Sequence, residues 1–159
     1  MIPEWVREAV GQARAFAVST PALAPAAALG VNVTFEVPAG APARCLIWRI
    51  ALTTLKAGGG FAGVRINPTL NLPATAPRVP ANMKVGAPQA SVAIVRADPG
   101  LAMTGGILSD LVLGQVPDAR EEVDLPPMVI APGLTLGISL PGGAGLLTAL
   151  SVWWVEDYT

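Results

Sequence analysis

A chain of 159 residues, 52% hydrophobic and only 13% charged, is long enough to bury one domain core but carries about half the charge of an ordinary soluble domain, roughly 25%. A net charge of −1 without any basic run argues against a nucleic-acid partner or an anionic membrane. No histidine and a single cysteine, Cys45, remove His-based nucleophile pairs, multi-cysteine metal sites and an internal disulfide.

A bias toward Ala, Gly, Pro and Arg would explain why Lys56 and Lys84 are the only lysines. That bias need not remove acidic residues as well. A surface largely covered by neighbouring chains explains both deficits.

Residues 3–17, "PEWVREAVGQARAFA", place Trp5, Ala9, Ala13 and Phe16 at helical spacing, with Pro3 suited to a first turn. So short a helix is marginal alone and must dock, on its own domain or on a neighbour. Glu4, Arg7, Glu8 and Arg14 interrupt any secretory leader. Residues 18–30 are a Pro/Ala-rich linker, expected to be extended. The uncharged stretch 15–35 contains Pro21 and Pro25 among polar residues and is a poor membrane span, so the chain is expected to be soluble.

From Val31 the period changes to alternation. Val31, Val33, Phe35 and Val37 share one face, predicting a half-buried strand. In 44–56 the same rule puts Leu46, Trp48, Ile50 and Leu52 on one face and Cys45, Ile47, Arg49, Ala51 and Thr53 on the other, a central strand apolar on both sides. Phe61–Asn67 is extended, and the prolines from 68 to 88 mark a long irregular region. Residues 91–98, "SVAIVRAD", form a strand. Ile107–Val116 is a strand, with a short helix as the alternative.

The last 30 residues, almost free of charge, are divided by Pro132-Gly133 and Pro141-Gly142-Gly143 into pieces far shorter than the roughly 20 residues needed to span a bilayer. They become two strands. Leu134, Leu136, Ile138 and Leu140 face the core in the first. Leu150, Val152 and Trp154 share one face of the second, and Ser151, Trp153 and Val155 the other. Short strands separated by Gly/Pro turns predict an antiparallel sandwich or barrel.

Chemical motifs are sparse. Residues 58–63 match G-x-G-x-x-G after a strand, but "VRINP" follows where a dinucleotide site needs a helix. Asp118, Glu121, Glu122 and Asp124 cluster in an expected loop, without the spacing of an EF-hand. They are expected to form a solvated rim or, with Arg120, an interchain salt-bridge site; a calcium site is the alternative. Trp153 suits an interface, or a platform for stacking on a sugar. Cys45 is a buried structural thiol. No catalytic residue, metal ligand or cofactor site is expected.

The segments "VTFEVPAG" (33–40), "LIWRIAL" (46–52) and "VIAPGLTLGISL…LLTALSVWWVED" give the stretch from Val31 to Thr159 a pattern that resembles small jelly-roll structural proteins of tailed bacteriophages, capsid decoration or cement proteins in particular. The resemblance implies a mainly β, antiparallel jelly-roll-like β-sandwich over 31–159, with residues 1–30 as an N-terminal helix and extended arm. It further implies a homotrimer, made in the host cytoplasm and bound to the major capsid protein or another virion protein on the capsid surface. Partner-binding candidates are Trp5, Phe16, Trp153, Asp118, Arg120, Glu121 and Glu122. A carbohydrate- or receptor-binding sandwich of a tail or spike is the second expectation.

Overall fold

The computed structural model describes residues 1–20, 31–54, 60–70, 77–98, 103–104, 107–115, 120–140 and 148–158. Residues 21–30 of the linker expected over 18–30, Gly58 and Gly59, Asp118 and the 141–145 loop lie outside them. Among the described residues, one helix, α1 (Glu4–Gly11), precedes twelve strands: β1 (Ala15–Ser19), β2 (Val31–Glu36), β3 (Ala43–Thr54), β4 (Gly60–Ile66), β5 (Thr69–Leu70), β6 (Ala81–Asn82), β7 (Ile94–Asp98), β8 (Met103–Thr104), β9 (Ile107–Gln115), β10 (Arg120–Ile130), β11 (Thr135–Leu140) and β12 (Thr148–Tyr158). No helix among the described residues is long and apolar enough to cross a membrane.

Two five-stranded antiparallel sheets form a β-sandwich. Their orders are β10-β3-β12-β1-β6 and β7-β2-β11-β4-β9, and β5 pairs separately with β8. The inner faces meet in one apolar core. Phe16, Val18, Cys45, Ile47, Ile50, Leu52, Leu150, Val152 and Trp154 come from the first sheet; Val33, Phe35, Val64, Val95, Ala97, Leu136 and Ile138 come from the second. Each such Val, Leu or Ile contributes roughly 1.5–3 kcal/mol on burial. The alternation expected for β2, β11 and β12 is observed wherever the side chains are described. The Pro132-Gly133 turn is also present: Leu134 N–H donates to the Ala131 carbonyl at 3.0 Å, and Gly133 takes φ 85°, which favours glycine.

Three expectations are corrected. The helix stops at Gly11 and does not reach residue 17. Ala13 N–H donates to the Val10 carbonyl at 3.0 Å and Arg14 N–H to the Ala9 carbonyl at 2.8 Å, while Ala13 takes φ 60°. This is a Schellman termination with alanine at the left-handed position. Residues 15–19 then pair with β12, Ala15 opposite Val155 through Ser19 opposite Ser151. The sheet therefore includes part of the expected arm. Pairing wins over helical spacing because it buries Phe16 and Val18 in the core.

The second correction is in β3. Trp153 stands opposite Arg49 and Trp154 opposite Ile47, so Trp48 has no counterpart on β12. On the other side, Asp124 faces Arg49 and Met128 faces Ile47, which again skips Trp48. This β-bulge shifts the phase: Cys45 and Ile47 enter the core before it, Ile50 and Leu52 after it. Trp48 turns outward, away from the face it was expected to share with Ile50 and Leu52.

The third concerns Arg120, Glu121 and Glu122. The expected loop is a strand from 120 onward, with these residues paired to Thr53, Leu52 and Ala51. β10 is an edge strand, and charge and the Pro126-Pro127 pair are compatible with an edge.

Candidate partner-binding surface and a buried polar cluster

Helix α1 lies on the outer face of the first sheet. Val6 and Ala9 pack with Ala15, Trp48 and Val155, flanked by half-buried Trp5, Val10, Met83 and Trp153. Glu4, Arg7 and Glu8 face water. The bulge supplies this platform by turning Trp48 toward the helix, and the Arg49 guanidinium sits 4.9 Å from the Trp48 ring centroid. Trp48 Nε1 is buried without a hydrogen-bond partner.

The candidate residues therefore separate. Trp5 and Trp153 share this cluster within one chain. Phe16 is fully buried in the sandwich core and cannot anchor a partner. Arg120, Glu121 and Glu122 lie along the β10 edge, and Asp118 is outside the described residues. Exposed apolar side chains occur elsewhere: Met1 and Ile2 before the helix, Val79 and Val85 in the segment before β7, and Val129 on β10.

A polar cluster not anticipated from the sequence sits where β12 ends. Glu156 is fully buried. Its Oε1 accepts from Ser91 Oγ at 2.5 Å and from Val92 N–H at 2.8 Å; its Oε2 accepts from Tyr158 Oη at 2.8 Å. Ser91 Oγ in turn accepts from Ala93 N–H at 3.0 Å. The signal was available: Glu156 continues the parity of Leu150, Val152 and Trp154, and so belongs to the inward face.

Across the strand pair, Glu156 is opposite Cys45. Burial, and secondarily the Glu156 charge, push the Cys45 thiol well above its ordinary range, so it stays protonated and unreactive. Burial, then the hydrogen bond and charge of Glu156, push the Tyr158 phenol up to about 12, which keeps it a donor. On the outward side, Arg44 pairs with Asp157 at 2.7 Å and Arg14 approaches the same carboxyl group at 3.9 Å. Arg14 also donates to the Glu156 carbonyl at 3.3 Å and to Gln12 Oε1.

This arrangement holds chain segments together. The Ser91 hydroxyl meets a carboxyl group, but both atoms are spent on a turn and a backbone amide, inside the protein. Among the described residues, no group of three or more His, Cys, Asp or Glu side chains gathers as a metal site would require. Comparison with protein-family models, curated proteins and solved structures finds no significant match to the chain.

Proposed function

We propose that the chain is an oligomeric structural protein of a virion, most specifically a decoration or cement protein on the outside of a tailed-phage head. The observation that carries the reading is strand order. β1, β12, β3 and β10 are neighbours in one sheet and β2, β11, β4 and β9 in the other. The connections β1–β2, β2–β3, β3–β4, β9–β10, β10–β11 and β11–β12 each change sheet. Connections that change sheet in this way support reading the sandwich as a double-sheet jelly roll, an architecture recurrent in capsid proteins and also in lectins and cupins. Fold alone does not assign function. The low charge narrows the choice, because it favours a surface covered by other copies or by a shell.

The carbohydrate-binding alternative has no comparable support. Trp153, its expected stacking platform, is half-buried in the cluster beneath α1.

Gold-labelled antibody raised against the purified protein, applied to phage particles from the source organism, tests the reading. Label on heads is the expected result. Label on tails alone moves the protein to the tail, and unlabelled particles overturn the virion role. Light scattering at micromolar concentration should give a trimer mass; a stable monomer removes the oligomer from the proposal.

A further inference from the structure

We propose that residues 77–93 form a strap that opens as a unit, taking the two-residue β6 off the edge of β1 while the other strands of both sheets stay folded, and that the buried Glu156 carboxyl group is its latch. The strap crosses the open side of the sandwich. Arg78 N–H donates to the Val95 carbonyl at 2.8 Å beside β7, in the second sheet; Ala81 and Asn82 then pair with Ala17 and Phe16 of β1, in the first. The chain returns through a Lys84–Ala87 turn to Ser91 and Val92, and enters β7.

Its attachments are mostly polar. Met83 N–H donates to the Ala15 carbonyl at 2.9 Å, Asn82 Nδ2 to the Ala13 carbonyl at 2.8 Å, and Lys84 Nζ to the Gly11 carbonyl at 2.9 Å, at the C-terminal end of α1. Apolar burial is small. Val79 and Val85 are 90% and 98% exposed, Met83 and Val92 are half-buried, and Ala93 is the one buried apolar side chain of the segment. A segment with few apolar contacts and an exposed backbone opens before the core it crosses.

Glu156 differs from the other attachments because it is fully buried and fastens two consecutive strap residues, Ser91 and Val92. Releasing them uncovers the Glu156 neighbourhood, including the buried Cys45 opposite it, and frees the edge of β1 at Phe16 and Ala17. The single thiol is thus a native reporter of strap opening.

The test uses the full chain, with amide hydrogen exchange under native conditions and labelling of Cys45 by an aromatic disulfide reagent. In the wild type, the Met83 and Val92 amides should exchange at least 100-fold faster than those of Ile138 and Val152, with Cys45 labelled through the same opening. Glu156→Gln replaces a carboxyl group by a weaker acceptor. It should raise strap exchange and labelling at least tenfold and leave the sheet amides unchanged. Ser91→Ala removes one donor and should act in the same direction; it also decides the matter if the first variant fails to fold. Strap and sheet amides exchanging together in the wild type would overturn the strap. Equal acceleration of strap and sheets in the variants, or no acceleration, would overturn Glu156 as its latch.

Discussion

Phe35 of β2 meets Trp154 of β12 edge-on, with ring centroids 4.9 Å apart and planes at 82°, across the space between the two sheets. Phe16 of β1 lies near the same indole at 6.0 Å and 22°. Trp154 is thus where the first, second and last of the large strands converge. Trp154→Ala should cost about 3–5 kcal/mol, transfer and cavity terms together, and abolish most near-ultraviolet dichroism. A loss below about 1 kcal/mol in urea unfolding would show that the sheets are not joined here.

Trp5 and Phe16 should behave differently, although helical spacing pairs them. Phe16→Ala empties a fully buried core site and should cost about 3–5 kcal/mol. Trp5→Ala removes a half-buried contact at the edge of the helix platform, so α1 should loosen while strand dichroism persists. A fragment of residues 31–159 lacks β1 and leaves β12 with an uncovered edge. It should aggregate or remain unfolded. A folded, monodisperse fragment would return residues 15–19 to the status of an arm.

Much of the sandwich is legible in the sequence because period-2 alternation persists where one face is dry: Val33, Phe35 and Val37, then Leu136 and Ile138, then Leu150, Val152 and Trp154. Alternation fails in β3 at Trp48, where a bulge inserts one residue and no local composition marks it. It fails at Phe16 because alanines at 9, 13, 15 and 17 suit either period, and distant pairing with β12 decides between them. β10 was hidden by its charge and prolines, which an edge tolerates. The latch was hidden for another reason: Ser91 is an ordinary loop serine until the fold brings it to Glu156, 65 residues away.

Ala13 occupies a left-handed backbone conformation, φ 60°, which costs a residue with a Cβ about 1–2 kcal/mol. Ala13→Gly should raise stability by up to about 1 kcal/mol, offset in part by greater freedom of the unfolded chain. The urea midpoint measures this. A drop of 1 kcal/mol or more would mean that the buried Ala13 methyl outweighs the strain.

High pH should destabilise the fold. Cys45 and Tyr158 are neutral when protonated, and folding raises both above their ordinary values of 9.0 and 10.0, Tyr158 to about 12. The folded chain therefore holds protons that the unfolded chain releases. Their contribution is complete below pH 9 and is lost as pH rises from 9 toward 12. Tyr158 is partly exposed, so Cys45 dominates, and Cys45→Ala should flatten the decline. A melting temperature constant from pH 8 to 11 would contradict this.

Ser19 and Ser151 share a 2.7 Å hydrogen bond although 132 residues separate them in the chain. β1 has no partner until β12 is made, apart from its two-residue contact with β6. On the ribosome, β1 must wait, with Phe16 and Val18 uncovered, until a strand about 130 residues further along the chain has been made. High contact order of this kind places folding in the millisecond-to-second range and leaves a nascent chain exposed to aggregation. The cell that makes this protein must therefore keep β1 in reserve until β12 emerges.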